Sequence, residues 1–221
     1  LKRAALRGCD VFQAATAMSH AFQLLTIAGV FFVSVVSPGP NFAMVTSTAM
    51  TVSRRAGVFA GLGLATASCT WTMLVIAGVG FVLTQAPWIY TAIRIAGAVY
   101  LIWIGIKMVT GARKPMAAAN PASADSGAAF RKAYFVSMTN PKSIAFYGSI
   151  LTVMVPASAP AWFYAAIVAI TAFVSGSWYC GLAIAFSHKA ARRIFARAKT
   201  GIEVTMGVIL IGLGGRLLFG R

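Results

Sequence analysis

Residues Val58–Ala86 contain no charged side chain. That is 29 residues in a row, where a helix needs only about 20 to cross a bilayer. A water-soluble domain has no place for such a segment, because one side of it would face solvent. Further apolar runs follow at Trp88–Val109, Ala133–Val155, Ala161–Phe186 and Ile202–Phe219, and one starts near Ala21. Read together they predict an all-α membrane protein of about six transmembrane helices.

The composition agrees: 59% of the residues are hydrophobic and 10% are charged, against roughly a quarter charged in soluble domains. The net charge of +16 raises nucleic-acid binding, which needs cations gathered on one water-facing surface. Here they fall between the apolar runs, and no nucleic-acid partner is expected. Arg54 and Arg55 follow the first span. Arg113, Lys114, Arg131 and Lys132 follow the third, and Lys189, Arg192, Arg193, Arg197 and Lys199 follow the fifth. The turns after the second and fourth spans carry none. Cations collect on the cytoplasmic side of a bacterial membrane, so both termini are expected on the periplasmic side of the inner membrane.

Residues 111–132, rich in Ala, Pro, Ser and Gly, read as a flexible cytoplasmic linker between a unit at 18–110 and one at 133–221. Residues 1–17 place Lys2, Arg3 and Arg7 on the wrong side for this orientation. They read as a non-native or disordered extension, with Met18 as the start.

The first span is anomalous. Ala21–Val52 holds 32 uncharged residues, about 48 Å of helix against a hydrocarbon core of about 30 Å. In its middle stands Ser37-Pro38-Gly39-Pro40-Asn41, where two prolines remove backbone donors and forbid a straight helix. At membrane depth such a break is tolerated only against protein or a polar cavity. The tract Phe32-Val33-Ser34-Val35-Val36-Ser37-Pro38 also aligns with Phe135-Val136-Ser137-Met138-Thr139-Asn140-Pro141. If each unit has three helices, the second enters the membrane upside down. This is the inverted-repeat plan of secondary transporters, with substrate bound at discontinuous helices near the midplane.

The same residues carry a family resemblance. SPGPNFAMV, RRAG followed by GLG, AGAVYLIWIGIKMV, the tract from Phe130 through FVSMTNPKSIAFYGS, and a closing GVILIGLGGRLL resemble the LysE superfamily of amino-acid exporters, in particular its homoserine/threonine efflux (RhtB-type) branch. The likeness runs over about residues 20–220. It implies proton-driven export of small amino acids from the cytoplasm. Where some members have Asp after SPGP, this chain has Asn41, so no charged coupling group stands there.

The expected substrate site is Ser37, Pro38, Gly39, Pro40, Asn41, Asn140, Pro141 and Lys142. Two readings of Lys142 stay open: a cation that snorkels to the cytoplasmic surface, or a partner for the substrate carboxylate. Glu203 is the acid nearest a span and a candidate proton carrier, but Thr200-Gly201-Ile202-Glu203 has the pattern of a helix capping box, which it fits better. Arg94 reads as snorkelling outward, Gly57 and Gly61 as close helix packing, and Cys69 and Cys180 as packing. No phosphate-binding GxxxxGK[ST] tract occurs, and three acids and two histidines make a membrane enzyme improbable. Neither cofactor nor metal is expected. The partners are a small amino acid and the lipid bilayer, with homo-oligomerisation left open. The alternative function is a passive channel for amino acids or other small solutes.

Overall fold

The protein is represented by a computed structural model that describes residues 20–85, 87–113, 122, 125–156 and 158–219. Among the described residues all regular structure is helical. α1 spans His20–Val36, α2 Pro40–Thr51, α3 Arg54–Gln85 and α4 Pro87–Gly111. α5 spans Ser126–Met138. α6 (Pro141–Ala145) runs through a π-helical turn, Phe146–Leu151, into α7 (Thr152–Met154). α8 covers Ala161–Phe186 and α9 Lys189–Phe219.

Four of these helices, α3, α4, α8 and α9, are each long and apolar enough to cross a membrane. The pair α1–α2, bent by 56° at its break, makes a fifth if it counts as one span. The sixth expected span, Ala133–Val155, is not one continuous helix. α5 begins earlier, at Ser126, where Asp125 accepts a hydrogen bond from the Ala128 N–H at 2.6 Å. It ends at Met138 because Pro141 lacks an N–H and disfavours helical geometry in the residue before it; Asn140 is extended at φ −69°, ψ 116°.

Two further boundaries depart from the sequence reading. Residues 126–132 belong to α5 rather than to a flexible linker, and Ala122 is buried, with its N–H donating to Thr48 Oγ1 at 2.9 Å. Residues 114–121 and the segment 1–17 lie outside the described residues. α9 starts at Lys189, not Ile202. The five cations at its start look like a loop in sequence, yet Phe195 anchors the helix by stacking on Phe42 with ring centroids 4.9 Å apart. The helix therefore runs 31 residues, about 46 Å, well beyond the hydrocarbon thickness.

α3 packs along α8, and α4 along α9. Small residues set both approaches. A Cβ on Gly61 would lie 3.0 Å from the Tyr179 carbonyl carbon, and one on Gly57 3.2 Å from the Ala183 Cβ. Between α4 and α9, a Cβ on either Gly105 or Gly207 would lie 2.7 Å from the other's carbonyl oxygen. With no hydrophobic drive between helices in lipid, close backbone approach supplies the dispersion contacts that hold them. The core between these pairs is filled by Phe31, Leu64, Phe146, Phe163 and Ile167.

Candidate functional site

The two proline breaks meet. α1 ends at Val36, with the Ser37 N–H bonded to Val33 O at 3.1 Å. Pro38 and Pro40 then leave carbonyls of the last α1 turn without the amides that a continuing helix would supply. Lys142, from the second break, serves them. Its Nζ donates to Ser34 O at 3.2 Å and Ser37 O at 3.0 Å, where the negative end of the α1 dipole favours a cation. The lysine is only 8% exposed, which rules out the snorkelling reading.

The side chains at the two breaks also join directly. Asn140 Nδ2 donates to Asn41 Oδ1 at 2.9 Å. Asn41 Nδ2 donates in turn to Ser137 Oγ at 3.1 Å and, more loosely, to the Tyr179 hydroxyl at 3.5 Å. Asn140 Oδ1 accepts from the Lys142 N–H at 3.0 Å and so caps α6. Inside a protein a satisfied network of this kind is rigid, and removing one member leaves the others unpaired at high cost.

Around this network lies a cavity lined by Ser37, Gly39, Asn41, Asn140 and Lys142, all named from sequence, with Ser68, Tyr147 and Tyr179 among its other walls. No acidic side chain lines it. It holds about 20 Å³ of water-accessible space, room for roughly one water. Pro38 is buried and Pro40 exposed; neither lines the cavity, and they act by freeing backbone. Pro141 faces a separate apolar groove of about 420 Å³ beside Gly97 and Tyr100 of α4.

Gly39 has φ 178° and ψ −166°, extended backbone open to other residues. Its nearest outside neighbour, Lys142 Cδ, lies 3.7 Å from where a Cβ would stand. Glu203 is not at the cavity. It lies inside α9 and pairs with Lys199 Nζ at 2.6 Å, while Thr200 Oγ1 donates to Ala112 O at 3.3 Å. The capping-box reading is therefore overturned: both residues sit more than a turn past the helix start, and Thr200 with Lys199 ties α9 to Ala112 just past α4. Arg94 Nε donates to Leu217 O at 2.7 Å, at the C-terminal end of α9.

The sequence reading missed Ser68, Tyr147 and Tyr179. A signal was present in the helical spacing of hydroxyls inside charge-free spans. Ser68 and Thr72 on α3, and Thr171, Ser175 and Tyr179 on α8, repeat every four residues, and all five are buried. Thr72 Oγ1 meets Thr171 Oγ1 at 3.2 Å. Four-residue spacing marks one helix face, and a polar face in an apolar span points inward.

Comparison with known proteins fits this picture. The chain is 30% identical over 201 residues to the threonine efflux protein of Escherichia coli K12, covering 89% of this chain and 98% of the relative. It is 31% identical to the uncharacterized membrane protein YahN of the same organism over 195 residues, 86% of each chain. It is 29% identical to the leucine efflux protein of Klebsiella pneumoniae over 202 residues, 88% of this chain and 93% of that one. No solved structure matches. The model of the LysE type translocators matches residues 32–221, a range that takes in both breaks and all of α3 to α9, and the chain is thus a multi-pass membrane transport protein that belongs to the LysE type translocator family.

Proposed function

We propose that the protein is a secondary exporter of small amino acids of the threonine or homoserine kind, working across the bacterial inner membrane and coupled to protons. The carrying observation is the Asn41–Asn140 bond, which holds two broken helices together at a buried polar cavity. A zwitterion in a low-dielectric site needs partners for both of its charges, since an unmatched one costs several kcal/mol. The carbonyls of Ser34 and Ser37 suit its ammonium group. The first amides of α2 at Asn41 and Phe42, with the Asn and Tyr donors of the network, suit its carboxylate. Lys142, whose present partners are carbonyls, belongs to the ammonium end of the site.

The pairings α3–α8 and α4–α9, and the matched tracts ending at Pro38 and Pro141, support two inverted three-helix units that rock about the site. A cavity closed down to about one water suits an occluded stage of that cycle better than a passive pore. One elementary charge moved per 100 mV supplies about 2.3 kcal/mol, enough for a roughly fortyfold concentration ratio.

Flux into proteoliposomes tests this reading, using labelled threonine, homoserine and leucine with and without an imposed pH gradient. We expect accumulation of at least one of them beyond equilibrium only when the gradient is present. Uptake that stops at equilibrium under every gradient would instead mark a channel. For orientation, the proposal puts residues 111–132 in the cytoplasm and both termini outside. A cysteine placed at the exposed Arg113 should resist an impermeant thiol reagent in intact spheroplasts and react once the membrane is permeabilised.

A further inference from the structure

The cavity brings a cation and the expected cation site of the substrate onto the same two atoms. Lys142 Nζ occupies the carbonyls of Ser34 and Ser37, the acceptors that the proline break exposes for an incoming ammonium group. We infer that the Lys142 ammonium and the substrate ammonium compete for these carbonyls, so that Lys142 is the group that exchanges a proton for substrate. This rests on the exporter reading and moves the coupling role from Glu203 to Lys142.

The surroundings leave no other candidate at the site. The cavity is lined by Ser34 of α1 and Ser37 at the break, whose carbonyls the lysine bonds, by Asn41 of α2 and by Ser68 of α3. The lysine's own segment contributes Asn140, Ser143 and Tyr147, and α8 contributes Tyr179. The titratable groups among them are the two tyrosines, and none carries a formal negative charge. Lys107 on α4 sits over the Trp103 ring at 4.0 Å and does not line the cavity. Among the described acids, Asp125 caps α5 and Glu203 holds Lys199. The cavity walls supply no carboxylate, and with the substrate's own carboxylate held on the α2 amides and the Asn and Tyr donors, two ammonium groups on the same two carbonyls repel each other.

The cycle balances as follows. Facing the cytoplasm, Lys142 releases its proton to cytoplasmic water, and the zwitterion enters with its ammonium on Ser34 O and Ser37 O. Facing the periplasm, the zwitterion leaves and the Lys142 amine takes a proton from periplasmic water. The site returns empty, with the ammonium back on the carbonyls. Each cycle moves one amino acid out and one proton in, and carries one positive charge inward.

The test uses the purified full chain in detergent with L-threonine, L-homoserine and L-leucine as probes. In lightly buffered solution the wild type should release close to one proton per amino acid bound. Its Kd should fall as pH rises, by up to roughly tenfold per unit while the lysine is protonated. In Lys142→Met both proton release and the pH dependence of Kd should vanish, along with accumulation against a gradient in proteoliposomes. Lys142→Arg, a permanent cation, should weaken binding at least tenfold at every pH. Wild-type binding without proton release overturns the competition and leaves the exporter reading standing. So does pH-linked release that survives in Lys142→Met. Should a variant fail to fold, the wild-type proton count alone decides. Binding of none of the three probes overturns the exporter reading and this inference with it.

Discussion

The two helix breaks solve one problem in different ways. Both interrupt a helix just before a proline, and both follow a Phe-Val-Ser tract. At the second break the repair is local: Asn140 caps the Lys142 amide with its own side chain, and the chain resumes as helix at once. At the first break no side chain caps α2, whose N-cap is Gly39. The carbonyls stranded at the end of α1 are served from far along the chain by Lys142. A break that repairs itself can be rigid by itself. One that borrows a cation from the other break is conditional on where that cation is, and this makes it the natural place for a switch.

That contrast can be broken in steps. Removing the bridge between the breaks should do most. Asn41→Ala combined with Asn140→Ala loses the Asn–Asn bond, the bond to Ser137 and the α6 cap, about 3 kcal/mol at about 1 kcal/mol each. Export should drop at least tenfold at equal membrane abundance. The two single variants should fail to add, since the residues share a bond. Wild-type export kinetics in the double variant would mean that the breaks do not form one site.

Next comes the borrowed cation. Lys142→Ala leaves Ser34 O and Ser37 O short of donors, at about 2 kcal/mol, read from denaturant unfolding in detergent. Hydrogen exchange should speed up across α1 and α2 while α8 keeps its protection. Equal loosening throughout would argue that Lys142 serves packing rather than the first break. A smaller effect is expected at the self-repaired break. Asn140→Ser preserves a capping oxygen but not the reach to Asn41, and should cost about 1 kcal/mol.

The smallest effect separates glycine from its neighbours. Gly39→Ala should change stability by less than about 0.5 kcal/mol, because the backbone there is extended and a Cβ meets Lys142 Cδ at an ordinary 3.7 Å. A large loss would show that the break needs the glycine's freedom in a conformation other than this one. Measured together, the four variants rank the bridge, the borrowed cation, the local cap and the hinge residue in one assay.

Much of this was legible in advance where it depends on local covalent facts. Long apolar runs have no stable place in water, so α3, α4 and α8 lie close to where hydropathy puts them; α8 coincides with its expected bounds. Proline lacks an N–H wherever it stands, so both breaks could be read from Pro38, Pro40 and Pro141. Asn41, Asn140 and Lys142 followed as candidates because they flank those breaks. Boundaries next to charges fared worse. Lys189–Lys199 looks like a loop, but Phe195 finds Phe42 and Phe186, and aromatic stacking holds the segment in α9.

What only the tertiary structure decided is which partners those side chains find. The sequence by itself determined that the chain lives in a membrane, that two spans break, and which polar residues stand at the breaks. It left Lys142 between the surface and the substrate, and the fold sends it instead to the end of α1. It offered Glu203 as a cap or a proton carrier, and the fold ties it to Lys199 away from the cavity. It gave no reason to join Tyr179 to Asn41, 138 positions apart. The physical reason is one of range. Backbone donors are lost within a residue or two of a proline, whereas a lysine or tyrosine tip is placed by the crossing of helices, and those crossings are set by small residues such as Gly57, Gly61, Gly105 and Gly207 meeting surfaces far away in the chain.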